Sequence, residues 1–108
     1  MIEPPAVAVI FFSIRRCAED DGYEEMPEKM LALAEKAEGY LGIHSVRDPV
    51  TGQGITVSYW SDEASASSFK QLETHVAAQL NGRKSWYSRY EVMVATLERS
   101  YEFTNQAL

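Results

Sequence analysis

The stretch AVAVIFFSIRR, Ala6 to Arg16, constrains the chain more than any other. It is rich in β-branched and aromatic residues, as strands are. Val7, Val9 and Phe11 form one alternating set, and Ala8, Ile10, Phe12 and Ile14 form the other. Side chains alternate across a strand, so this one is apolar on both sides and needs cover on both faces. A chain of 108 residues is one domain with little apolar material to spare. Whatever covers the second face is therefore a question the rest of the sequence must answer.

The segment CAEDDGYEEMPEKMLALAEKAEG follows. Tyr23, Met26, Met30, Ala34 and Ala37 recur at three- and four-residue steps between acids and lysines, which predicts an amphipathic helix. Pro27 belongs in its first turn or marks a kink, and Gly39 is a stop signal. YLGIHSVRD, Tyr40 to Asp48, predicts a second strand, PVTGQG a hairpin loop, and ITVSYW, Ile55 to Trp60, a third strand. Ser61 and Asp62 can cap a second helix, whose apolar stripe is Phe69, Leu72, Val76 and Leu80, with Asn81-Gly82 ending it. RKSWYSRY reads as a loop with a short helical turn, and YEVMVATLERSY, Tyr90 to Tyr101, as a fourth strand.

Strand, helix, strand, strand, helix, strand is the α+β, ferredoxin-like βαββαβ plan. A four-stranded antiparallel sheet carries both helices on one face, and a single domain spans residues 1–108 with its core over about 6–103. The other sheet face stays uncovered within one chain. Strands one and four are apolar on both sides, so a second copy pressing its sheet against this one is the expected cover, giving a homodimer.

Composition excludes several classes. A formal net charge of −6 speaks against a nucleic-acid partner or an anionic membrane surface. The small basic cluster of Arg83, Lys84 and Arg89 reads as a solvated face. One cysteine, Cys17, cannot form an internal disulfide, and the distant His44 and His75 give no metal-site spacing. The run from Ala6 to Ile14 is too short to span a bilayer and lacks a signal peptide's charged start, so a cytoplasmic location is expected. No nucleophile elbow, phosphate loop or dinucleotide fingerprint is present.

With this element order, ITVSYWSDEAS, LETHVAAQLNGR and WYSRYEVMVATLERSY resemble the antibiotic biosynthesis monooxygenase (ABM) domains, over nearly the whole chain. The resemblance implies a dimeric α+β barrel with a pocket between sheet and helices in each subunit. It also implies, in one branch, oxidation of aromatic phenols or quinols by molecular oxygen without a cofactor. Trp60 matches that branch's pocket tryptophan at the end of the third strand. The branch's asparagine and tyrosine partners are replaced by Thr56 and Ala66, which cannot do the same hydrogen bonding or proton transfer. The haem-degrading branch fits less well. Its first-strand asparagine is missing, its helix tryptophan falls on Phe69, and His75 lies about a turn short of the axial position. No cofactor is expected, and the ligand is a small apolar or aromatic molecule.

The candidate site follows from alternation. Thr56, Ser58 and Trp60 share one strand face, a mix of small polar groups and one large ring that suits a partly polar cavity. The alternative for Trp60 is packing under the second helix with its N–H on backbone. A hairpin register centred on Thr51 puts His44 beside Ser58, where it would be the general base. A slip of one residue would turn His44 to the opposite face. Tyr59 and Phe69 are candidates for positioning a ring, and His75 reaches either the cavity or solvent. Trp86, Tyr87 and Tyr90 form an aromatic cluster fit for a dimer contact or a pocket lip. Arg15 and Arg47, at strand ends, suit either an anionic group or a salt-bridged surface.

Overall fold

The computed structural model describes residues 1–16, 25–79 and 86–105. Cys17, Tyr23, Leu80, Asn81-Gly82, Arg83 and Lys84 lie outside them. The elements are β1 (Ala6–Arg15), α1 (Glu25–Lys36), β2 (Tyr40–Arg47), β3 (Gln53–Trp60), α2 (Glu63–Gln79) and β4 (Tyr87–Leu97). The sheet has four strands in the order β2-β3-β1-β4, and every neighbouring pair is antiparallel. This is the ferredoxin-like α+β fold.

β1 is a central strand, paired with β3 on one side and β4 on the other. That position explains its two apolar sets. Val7 and Val9 pack against the buried cluster of Ala34, Trp60, Ala66 and Phe69, which joins the sheet to both helices. Ile10 and Phe12 point the other way, on the face that neither α1 nor α2 covers, beside Val57, Ile55 and Met93 in the register. On that open face Val46 is 73% exposed, Ile55 44% and Met93 43%.

β4 begins at Tyr87, three positions before the strand predicted from Tyr90, and ends at Leu97, not Tyr101. A bulge between Ile14 and Arg15 brings Tyr87 opposite Arg15, which extends the ladder into the aromatic run. Nor is the α2 stripe quite as predicted. Ala66 and Phe69 face the core, Val76 packs against Trp86, and Leu72 is exposed. Pro27 sits in the first turn of α1, where its missing N–H costs little.

Local chemistry fixes the joints. Gly39 ends the α1 connection with φ 83°, and its carbonyl accepts the Ser61 N–H at 2.8 Å. A Cβ there would collide with Ser65 at the start of α2. Asp62 caps α2 by accepting the Ser65 N–H at 2.7 Å. Asp48 accepts the Val50 N–H at 2.9 Å inside the hairpin loop. These bonds favour the charged form, so both carboxyls titrate below their ordinary value of 3.8. No helix among the described residues is long and apolar enough to cross a membrane.

Two predictions follow from these joints. Gly39→Ala meets both a left-handed backbone and the Ser65 side chain, and should lower the melting temperature by roughly 5 °C or more. An unchanged thermal melt would mean that the joint is not tight. For Asp62 the folded-state pKa is depressed, so its contribution is present above 3.8 and is lost as pH falls through the folded-state value. Asp62→Asn, which still caps, should match the parent near neutral pH and lose less stability on acidification. Identical melting-temperature profiles for the two proteins would refute this.

Candidate functional site

A cavity of about 260 Å³ lies between the helix-covered face of the sheet and the two helices. Its position follows from the strand register. Val9 and Phe11 on β1, Thr56 and Ser58 on β3, and Ile43 and Ser45 on β2 all point to that face. Met30 and Leu31 approach from α1, and Phe69, Lys70 and Glu73 from α2. Beside Val92, the remaining apolar wall among the described residues is aromatic. Phe11 stacks on Tyr90 and meets Tyr87 edge-on, each with ring centroids 5.5 Å apart. Trp86 closes this corner, 1% exposed and packed on Met30, Val76 and Tyr87.

Polar groups enter at few points. Ser45 Oγ and Thr56 Oγ1 are hydrogen-bonded at 2.7 Å across the β2–β3 ladder. Lys70 pairs with Glu73 at 3.1 Å on α2, and its ammonium lies 5.8 Å from the centre of the Phe11 ring. Arg47 stands at the end of β2 and donates to Gly52 O at 2.6 Å and to Ser13 Oγ at 2.7 Å. Ser13 is fully buried in the middle of the sheet.

The predicted site residues separate into four groups. Thr56, Ser58 and Phe69 border the cavity together. Trp60 does not. It is wholly buried behind Phe69, stacked on that ring at 4.8 Å, and its Nε1–H donates to Ser58 Oγ at 2.9 Å. Tyr40 meets it edge-on at 5.8 Å. Burial, and then the Glu35 carboxylate, raises the Tyr40 phenol above its ordinary 10.0. The indole N–H is thus satisfied by a side chain of its own strand and not by backbone.

His44 and Tyr59 are on the other face. The hairpin pairs Arg47 with Gly54, so His44 stands opposite Val57 and it is Ile43 that stands opposite Ser58. The register is one residue away from a hairpin centred on Thr51, and one residue reverses the face. His44 instead packs edge-on against Tyr59, with ring centroids 5.7 Å apart, on the open side of the sheet. His75 is exposed on α2 and is not among the cavity-lining residues.

Several lining residues carry no motif. Phe11 was hidden inside an apolar strand, and Lys70 and Glu73 lie beside the apolar stripe of α2. The Trp86, Tyr87 and Tyr90 cluster was visible, and it is cavity wall. Among the described residues no group of His, Cys, Asp and Glu is placed to hold a metal ion.

The fold is shared with solved structures of low sequence identity. SnoaB of Streptomyces nogalater, a cofactor-independent oxygenase, superposes with a TM-score of 0.69 at 12% identity, over 89% of this chain and 96% of its own. A candidate antibiotic biosynthesis monooxygenase of Nitrosomonas europaea gives 0.69 at 7% identity, over 89% and 93%. No model of a known protein family matches the chain. In sequence it is 43% identical to YqjZ of Bacillus subtilis, itself uncharacterized, over 101 residues that make up 94% of this chain and 87% of YqjZ. The chain belongs to the family of YqjZ.

The packing behind the wall can be tested. Trp60→Phe keeps a ring against Phe69 but leaves the buried Ser58 hydroxyl without its indole donor. A loss of about 1–3 kcal/mol is expected in chemical denaturation, the range for a buried group left unpaired. A stability equal to the parent would show that the indole N–H contributes nothing.

Proposed function

We propose that the chain binds a small aromatic molecule in this cavity and oxidises it, as a phenol or quinol, with molecular oxygen and without a metal or flavin. The aromatic corner of Phe11, Trp86, Tyr87 and Tyr90 around a space of about 260 Å³ carries the reading. Ring faces and edges of this kind hold a flat ligand by stacking. The likeness in fold to SnoaB supports the reaction class. A phenolate is electron-rich enough to pass an electron to oxygen and recombine with the superoxide formed. Where an activated methylene is oxidised to a carbonyl, one oxygen atom enters the product and the other leaves as water, and the substrate supplies all the electrons.

His44 cannot be the base for this step, because it faces away from the cavity. Among the described residues Glu73 is the carboxylate that lines the cavity, and it takes the role in this proposal. Trp60 acts as support, holding Phe69 against the ligand. The haem-degrading reading needs a cavity histidine, and His75 is not in the lining.

The alternative is a ligand-binding protein without a reaction. The Lys70–Glu73 pair favours it, since a carboxylate held by a neighbouring ammonium is not directed at a ligand proton. Oxygen uptake with a panel of hydroxyquinols and anthrones separates the two. Catalysis predicts uptake in step with substrate loss, and a fall in kcat on the order of a hundredfold in Glu73→Gln. Binding without uptake above the spontaneous rate would leave only the binding reading.

A second copy is the partner this reading assigns to the open face, where Val46, Ile55 and Met93 are exposed and His44 packs on Tyr59. Sedimentation should show a dimer at micromolar concentration, converted to monomer by Met93→Asp. A stable monomer of the parent chain would end this assignment.

A further inference from the structure

We propose that the cavity selects an aromatic molecule bearing an anionic oxygen group, a carboxylate above all, and that Arg47 holds that group. The inference rests on the aromatic-cavity reading and adds the charge of the ligand. Arg47 is not a surface arginine trailing into water. Its guanidinium is fixed from two sides of the ladder, by Gly52 O at 2.6 Å and by Ser13 Oγ at 2.7 Å. It also lies against the backbone of Gly54, its partner in the β2–β3 register. A Cβ built on Gly54 would stand 2.6 Å from Arg47 Cζ and 2.9 Å from each terminal nitrogen. Position 54 lacks a side chain at the very place where the guanidinium rests. The Tyr87 ring, part of the cavity wall, has its centroid 6.0 Å from Cζ, within cation–π reach.

Among the described lining residues Arg47 and Lys70 are cationic. Arg47 is permanently charged, and its planar donor array suits a carboxylate better than a neutral carbonyl. One step along the same ladder, the Ser45–Thr56 hydroxyl pair extends the polar end. Apart from Ser58, Lys70 and Glu73, the rest of the described wall is apolar or aromatic. A ligand that satisfies both ends has a flat ring system and an anionic head.

Calorimetric titration of the full chain with 2-naphthoate and 2-naphthamide tests this. The two probes share shape and differ in charge. The carboxylate should bind at least about tenfold more tightly, the scale of a charge-assisted hydrogen bond, and only its affinity should fall at high salt. Arg47→Gln should abolish the preference while leaving amide binding within about twofold, because the ring contacts are untouched. Gly54→Ala should erode the preference as well. A second arm with 2-naphthol, titrated across the phenol's own pKa, tells whether a phenolate is accepted like a carboxylate. Equal affinity for naphthoate and naphthamide in the parent would overturn the anion inference and leave the aromatic-cavity reading standing. Binding of neither probe would overturn both. Equal weakening of both probes in Arg47→Gln would make the residue wall support only. Should that variant fail to fold, the parent's preference and its salt dependence decide the matter.

Discussion

The pairing of Arg47 with Gly54 in the β2–β3 hairpin determines what this domain can do. Side chains on a strand alternate, so one register sends Ile43, Ser45 and Arg47 toward the helices and His44 and Val46 away from them. The neighbouring register would do the reverse. It would give the cavity an imidazole and remove its arginine. The loop secures the actual choice through Asp48, which accepts the Val50 N–H, and through Gly52, whose φ of 78° is open to glycine at little cost. Gly52 O then accepts from both the Arg15 backbone and the Arg47 side chain. The same few atoms close the hairpin, tie it to β1 and aim the guanidinium.

The central position of β1 is the second constraint. A strand with partners on both sides and apolar residues on both faces can be satisfied inside the chain on one face only. Trp60, Phe69, Ala66 and Ala34 close the helix-covered side tightly around Val7 and Val9. Farther along the same strand Phe11 meets Tyr87 and Tyr90, and packing gives way to the cavity. One face of one strand therefore runs from solid core to ligand space within a few residues. The indole of Trp60 marks the boundary, since its N–H is spent on Ser58, whose own edge borders the cavity.

Fold was the most legible part of the sequence, because β1, the hairpin and the two helix patterns each depend on local periodicity. Thr56, Ser58 and Phe69 were legible as site residues for the same reason: once β3 and α2 are placed, period and face follow. His44 was not, since its face depends on a loop whose turn geometry differs by one residue from the symmetric choice. Tyr87 was missed as a strand residue because the Ile14–Arg15 bulge that recruits it leaves no local signal. Arg47 was visible as a strand-end cation, but its place in the cavity wall depends on Gly54, a residue whose contribution is the space it leaves. Absent side chains and register are tertiary facts, and no pattern within one strand encodes them.

The cavity also bears on why so small a domain keeps an opening at all. A sealed, dry void of 260 Å³ would cost roughly 6 kcal/mol at the rate measured for buried cavities. That is comparable with the whole folding stability of an ordinary domain, about 5–15 kcal/mol. A domain of 108 residues could hardly sustain it. Here the mouth is open, with Leu31 41% and Tyr90 40% exposed, and a charged arginine is anchored inside. Solvent can occupy such a space until a ligand displaces it. Larger side chains on β1 or α1 could have filled it. The Gly54 site shows the opposite arrangement, with a side chain omitted so that a cation can lie flat in the wall. Space held open beside a fixed charge is what the proposed binding requires, and packing for stability alone does not call for it.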